Sequence, residues 1–214
     1  MEFPLFCEQV GLHLEPFQKR IAGAAAGPER ELVVLLPRGQ GKTTLMAAIA
    51  LHHLITVSQA AVYCAASSRE QARILYEAAS MFARQLEHPN IVVRHLELRW
   101  VDDPLEPNVV SRHLRVLAAD APKLHGLTPS LAIIDELHAH PDDDVYVALR
   151  TATLKRPGSR LITISTPARA PTARSAGFGP GRSANRTSAA LARSPTPAGR
   201  RYGCWSGRFP RTTS

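Results

Sequence analysis

Residues 35–44 read Leu-Leu-Pro-Arg-Gly-Gln-Gly-Lys-Thr-Thr and form a glycine turn between an apolar run and an apolar helical pattern. Gly39 and Gly41 permit backbone angles that aim successive N–H groups at one anion. A helix starting at Lys42 would add the partial positive charge of its N-terminus at the same place. In such a site Lys42 reaches the β- and γ-phosphates of a nucleotide and the Thr43 hydroxyl sits on Mg²⁺, with Thr44 beside it. Arg38 and Gln40 fill the rest of the loop. The common form of this loop starts with a glycine, and here Leu36 stands in its place, followed by Pro37 and Arg38. The rival reading is an ordinary strand-to-helix turn with an exposed lysine.

A second group lies roughly 90 residues on, at the spacing such sites use. Leu131-Ala-Ile-Ile-Asp135-Glu136 is an apolar run ending in two acids. A buried strand delivers its last carboxylate to the carboxyl edge of a parallel sheet, where ligands bind. Asp135 there would hold Mg²⁺ directly or through water. Glu136 would orient and deprotonate the water that attacks a nucleoside triphosphate. A third group is Leu161-Ile-Thr-Ile-Ser165-Thr166-Pro167. The hydroxyls of Ser165 and Thr166 could sense the γ-phosphate or the water, or simply cap a strand. A fourth is Leu14-Glu-Pro-Phe17-Gln18, where the Gln18 amide suits the adenine edge or plain solvent.

Positioning these groups requires a definite set of elements. Strands are expected at Glu31–Leu36, Ala60–Ala65, Ile91–Leu98, Arg112–Leu117, Leu131–Asp135 and Arg160–Ser165. Helices are expected at Lys42–Ile55, Ser68–Leu86 and Asp142–Leu154. In the second of these, Ala72, Leu75, Ala79 and Phe82 share one side, and Ser67 or Ser68 offers the N-cap. Strands alternating with helices imply an α/β fold: a mainly parallel sheet with right-handed crossovers, flanked by helices.

The chain has 214 residues and a formal net charge of +8, which suggests a nucleic-acid binder until the charge is located. All 18 acids lie before residue 168, against 17 Lys and Arg; the other nine basic residues, all Arg, follow Pro167. The first 167 residues are thus close to neutral. Residues 168–214 contain no Asp, Glu, Lys, Ile, Val, Met or His and are rich in Arg, Ala, Pro, Ser and Gly. Such a segment cannot bury enough apolar surface to offset its ordering entropy, so disorder is expected there. It reads either as a basic arm or as a G+C-rich stretch translated out of frame. Domain organisation follows: a folded α/β domain over residues 1–167, expected to be incomplete at its C-terminal end, and a low-complexity tail over 168–214. Cys7, Cys64 and Cys204 are scattered, without metal or disulfide spacing, and read as buried or incidental thiols. No apolar run is long enough to span a bilayer, and the N-terminus lacks a basic start and apolar core, so a soluble cytoplasmic protein is expected.

Taken together, the four groups resemble the N-terminal packaging ATPase of the large terminase subunit of tailed bacteriophages, over about residues 5–167. The phosphate loop of that family starts with a basic residue in place of glycine, as in Arg38-Gly39-Gln40-Gly41-Lys42-Thr43. Ala65-Ala-Ser-Ser-Arg-Glu-Gln71-Ala-Arg73 is similar to its segment after the second strand. His125-Gly126-Leu-Thr-Pro-Ser-Leu-Ala-Ile-Ile-Asp135-Glu136-Leu137-His138 is similar to its Walker B region. Thr163-Ile-Ser165-Thr166-Pro167 matches its coupling motif, and Phe17-Gln18 falls at its adenine-side glutamine. The resemblance implies a P-loop NTPase of the additional-strand, catalytic-glutamate kind, using ATP and Mg²⁺. It implies a homo-oligomeric ring at the portal that drives double-stranded DNA into a procapsid in the bacterial host cytoplasm, with portal protein and small terminase subunit as partners. Arg38 would contact the γ-phosphate and trigger hydrolysis, and Ser165 and Thr166 would couple it to movement. The sequence does not show a trans-acting arginine; Arg112 and Arg150 are candidates only by their place in the chain.

The sequence departs from that family after Pro167. The family's C-terminal nuclease binds metal through clustered acids, and residues 168–214 have none, so no nuclease activity is expected. The helices that follow the coupling strand are also missing, which would leave an apolar flank of the sheet exposed. Two other readings remain open on the residues alone: a superfamily-2-like helicase fragment, which shares Asp135-Glu136-Leu137-His138 in form, and a non-catalytic remnant of a prophage gene.

Overall fold

The computed structural model describes residues 1–106, 109–118, 124, 126–140 and 142–167. The expectations for the tail, Cys204 among them, lie outside the described residues. Two helices open the chain, α1 (Phe3–Gln9) and α2 (Pro16–Ala26). Strand β1 (Glu31–Leu35) leads through the glycine turn into helix α3 (Lys42–Thr56). Strand β2 (Ala61–Ala66), helix α4 (Arg69–Leu86), the strands β3 (Ile91–Arg94), β4 (Glu97–Val101) and β5 (Val110–Ala118), and strand β6 (Leu131–Asp135) follow. A 3-10 turn (Leu137–Ala139), helix α5 (Asp144–Leu154) and strand β7 (Arg160–Ser165) complete the described fold.

The seven strands form one sheet in the order β1-β7-β6-β2-β5-β4-β3. From β1 to β5 every pairing is parallel, and β4 and β3 extend the sheet antiparallel. Strands β2 and β6 are buried along their whole length and β7 nearly so, which is why they read as continuous apolar runs. Strand β7 lies between β1 and β6, so the glycine-loop strand and the Asp-Glu strand are not neighbours. This is the additional strand that the resemblance implies.

Helix α3 carries little polar surface because it is the central helix: Leu45, Met46, Leu51 and Leu54 are all buried against the sheet and α4. Helix α4 is amphipathic, and Ala72, Leu75, Ala79 and Phe82 face the core as the spacing predicts. Its N-cap is Ser68, whose hydroxyl accepts from the Gln71 backbone N–H at 3.2 Å. His53 reaches from α3 to the Ser130 hydroxyl at 3.0 Å, and burial, with Arg160 nearby, pushes its pKa down to about 4. It therefore acts there as a neutral hydrogen-bonding group. Cys7 and Cys64 are buried free thiols, as expected; burial pushes both upward, Cys7 to about 11.

Two parts of the fold differ from the sequence reading. Ile91–Leu98 is not one strand. The chain reverses at His95-Leu96, with Leu96 at φ 52°, and Arg94 pairs with Glu97 across a hairpin. The turn contains no Gly, Asn or Asp, and the alternation of apolar residues runs through it, so the usual signals of a hairpin are missing. Helices α1 and α2 were not anticipated either. Both start on a proline in the first turn, and α2 adds a capping box between Glu15 and Gln18.

Strand β1 is an edge of the sheet. Val33 is 43% exposed and Leu35 52% exposed among the described residues, and an apolar groove of about 320 Å³ runs between β1 and α2 past Ile21, Ala24 and Leu32.

Candidate nucleotide site

The parallel register brings three strand ends to one level. Leu35 pairs with Ser165, and Asp135 pairs with Ile164, so the ends of β1, β7 and β6 meet at the carboxyl edge. The ladder continues one step further, with the Leu36 N–H donating to the Ser165 carbonyl at 3.0 Å. Leu36 is itself a core residue, 1% exposed. The position that carries glycine in the common loop here fills the core with its side chain and leaves its carbonyl to accept from Lys42 Nζ at 3.2 Å.

The turn that follows depends on two left-handed residues, Gly39 at φ 77° and Gly41 at φ 66°. Gly41 is also the N-cap of α3. A side chain there would be strained and would meet Gln18 Nε2 at 3.0 Å. Gln18 holds the loop from the α2 side: Nε2 donates to the Gln40 carbonyl at 3.1 Å, while Oε1 accepts from the Glu15 N–H at 3.0 Å. The structure thus places Gln18 against the loop, in a bracing role that its sequence position did not reveal. Arg38 is exposed and makes no hydrogen bond or ion pair within the described residues.

Lys42, only 7% exposed, is the centre of the site. Its Nζ lies 3.0 Å from Glu136 Oε1 and donates to Thr166 Oγ1 at 2.6 Å. Thr166 returns two donors to Glu136, its hydroxyl at 3.1 Å from Oε2 and its backbone N–H at 3.2 Å. Glu136 is a non-glycine residue at φ 52°, a conformation that costs on the order of 1–3 kcal/mol and persists only where the surroundings fix it. Burial works upward on its carboxyl, but the Lys42 hydrogen bond and charge, the Thr166 hydroxyl and His138 together hold it below its ordinary value.

Asp135 behaves oppositely. It is 1% exposed, and burial, reinforced by the Glu136 charge, pushes its carboxyl above the ordinary value despite the Thr43 hydrogen bond and the Lys42 charge. Its Oδ2 accepts from Thr43 Oγ1 at 3.0 Å, and its Oδ1 is buried without a partner. A hydroxyl and a carboxylate side by side, one oxygen of the latter unsatisfied, are hard oxygen donors of the kind Mg²⁺ takes. The residues present therefore fit that ion.

Between these halves runs a cleft of about 490 Å³. It is lined by the loop from Arg38 to Thr44 on one side and by Glu136, His138 and Ala139 on the other, with Ser67 and Gln71 at the start of α4. All the loop residues singled out in the sequence, together with Asp135, Glu136, Ser165 and Thr166, come together at this edge. Sequence reasoning missed Ser67, Gln71 and His138 as parts of the site. Ser67 and Gln71 follow the end of β2, a strand recognised as such, and that position was the available signal. Arg112 and Arg150 are not near it. Arg112 donates to the Leu54 and Ile55 carbonyls and lies over the Trp100 ring, and Arg150 donates to Glu31 at the start of β1. Both stand at the amino edge of the sheet, opposite the loop.

A glycine loop between a parallel strand and a helix, a hydroxyl-carboxylate pair across it, and a strand inserted between the two define a P-loop NTPase fold of the additional-strand kind. Sequence comparison narrows the class. The family described as "Terminase large subunit, ATPase domain" matches residues 22–174. The large terminase subunit of Enterobacteria phage HK97 is 32% identical over 170 residues, covering 73% of this chain and 32% of that protein. The crystal structure of the HK97 large terminase superposes with a TM-score of 0.59 at 30% identity, over 72% of this chain and 33% of that one. The ATPase domain of the Thermus phage P74-26 large terminase gives 0.63 at 25% identity, over 75% and 68%. The large terminase of a thermophilic bacteriophage, solved in complex with ADP, shares the fold at 13% identity and a TM-score of 0.53, over 71% and 39%. The chain belongs to the family of large terminase subunit ATPase domains, and it spans about a third of the length of the HK97 relative. The helicase reading falls away. Among the described residues, no helix is long and apolar enough to cross a membrane.

Proposed function

We propose that this chain binds and hydrolyses ATP and that the hydrolysis drives double-stranded viral DNA into a procapsid. One observation carries the reading: Thr43 from the loop and Asp135 from β6 meet at 3.0 Å, with Glu136 and Lys42 in contact beside them. Family membership supports the same conclusion. The triphosphate seats in the N–H nest of residues 39–43 at the start of α3. Lys42 turns from Glu136 to the β- and γ-phosphates, and Arg38, which has no partner to leave, closes on the γ-phosphate. Thr43 and Asp135 would hold Mg²⁺, which when bound neutralises charge on the phosphates. Glu136, relieved of Lys42, accepts a proton from water as the water oxygen attacks the γ-phosphorus. The bond to the bridging oxygen breaks, and ADP and phosphate leave. Gln18 faces the adenine side of the loop. Ser165 and Thr166, bonded to this network at the end of β7, carry the change away from the site.

For the whole motor we propose a homo-oligomeric ring acting with portal protein, small terminase subunit and DNA in the cytoplasm of a bacterial host. Phosphate release by the purified full chain, with and without Lys42→Ala, tests the core of the reading. Hydrolysis that Lys42→Ala removes supports it. A wild-type chain that neither binds nor hydrolyses ATP favours the non-catalytic remnant.

A further inference from the structure

One side chain that the mechanism above does not use joins two of its parts. His138 lies in the 3-10 turn after Glu136, where the left-handed backbone of Glu136 folds the chain back over the end of β7. Its Nδ1 stands 3.1 Å from Glu136 Oε2 and 2.8 Å from Ser165 Oγ. Its backbone N–H also donates to that hydroxyl, at 3.3 Å. Ser165 is buried at the last position of β7, and the next residue, Thr166, bonds the same carboxylate.

We propose that His138 is a positioning residue. It sets the direction of the Glu136 carboxylate and transmits a change in that carboxylate's partners to the end of β7. The reason is the limited capacity of one ring nitrogen. When Nδ1 carries a proton, it donates to Glu136, and the Ser165 O–H must bond elsewhere. When Nδ1 is bare, the Ser165 O–H donates to it, and the ring no longer holds Glu136. The two arrangements exclude one another. When Lys42 turns to a phosphate, Glu136 loses its cationic partner, and the first arrangement gains. Ser165 is then freed at the moment the triphosphate engages, so the strand end responds to the site through His138.

This inference rests on the ATPase reading, and its test separates the two. Turnover is measured on the full chain for wild type, Lys42→Ala, His138→Ala, His138→Asn and the pair His138→Ala with Ser165→Ala. His138→Ala is expected to lower kcat about 10- to 100-fold by misplacing the base. The KM for ATP is expected to change less than kcat, because His138 acts on the proposed base rather than on the phosphates. Asn, whose amide nitrogen replaces Nδ1, restores most of the rate, and the double variant is no slower than His138→Ala alone. A second readout needs no turnover: the Ser165 amide resonance is followed on adding a non-hydrolysable ATP analogue, because Ser165 meets the carboxylate only through His138, whereas Thr166 bonds Lys42 and Glu136 directly. It moves in wild type and moves less in His138→Ala. An unchanged kcat in His138→Ala, an equal loss with Asn and Ala, or a Ser165 response as large as in wild type each overturns the proposal while the ATPase reading stands. A wild-type chain without nucleotide binding or turnover overturns both.

Discussion

The two halves of the cleft are built on different principles. The loop half, from Arg38 to Gly41, is backbone held in shape by two left-handed glycines, with Arg38 exposed and unpaired among the described residues. The half formed by β6 and β7 is side chain: Asp135 and Ser165 are buried, and Glu136 is bonded to Lys42, Thr166 and His138. The first presents backbone donors at the start of α3. The second is bonded within itself around Glu136, while Asp135 Oδ1 and, further back in β7, Thr163 Oγ1 are buried without a partner among the described residues. Lys42 belongs to the first half by sequence and to the second by contact. On the function proposed above, the difference makes phosphate binding an exchange of partners for one lysine rather than the filling of a vacant charge site.

The comparison can be broken most directly at Glu136. Glu136→Gln removes the proposed base but keeps the shape, so kcat is expected to fall about 10²–10⁴-fold in a phosphate-release assay while ATP still binds. If turnover survives, the base lies elsewhere. Lys42→Ala removes the residue shared by both halves. It is expected to cost about 10²–10³-fold in rate and, unlike Glu136→Gln, to weaken binding in a direct titration with labelled ATP. Asp135→Asn is expected to reduce magnesium-dependent hydrolysis by at least about 10- to 100-fold, read from the rate against magnesium concentration.

The same substitution sharpens the comparison through stability. Asp135 binds its proton more tightly in the fold than in the unfolded chain, so its ionisation lowers stability as pH rises above 3.8 toward the raised folded value. Glu136 has the opposite sign: its contribution is complete above 4.5 and is lost as pH falls through its lowered folded value. In magnesium-free buffer at neutral pH, Asp135→Asn is therefore expected to raise the melting temperature. Glu136→Gln is expected to lower it, by less, because that carboxylate is partly solvated. Thermal unfolding curves across the acid range for the two variants should slope apart. Parallel curves would mean that the two carboxylates share one environment.

How much of this was legible beforehand follows from the kind of signal each part carries. The strand ranges of β6 and β7 and the start of α3 were read correctly, because a strand buried on both faces must be continuously apolar and a phosphate loop needs glycine at fixed offsets. The hairpin of β3 and β4 was not read, because Leu96 adopts a left-handed turn conformation without a turn-forming side chain. Gln18 was seen only as a possible adenine contact. Its two hydrogen bonds, to Glu15 and to Gln40 22 residues away, depend on where α2 packs.

By itself, the sequence determined the alternation of elements and the chemical types available at three strand ends, since burial pattern and glycine spacing are local properties of a chain. Only the tertiary structure decided that β7 lies between β1 and β6, and that Lys42 rests on Glu136 and Thr166. It also decided that His138 touches Ser165 while Arg112 and Arg150 stand at the far edge. Strand order and side-chain partnership join residues distant in sequence, and no local periodicity records them.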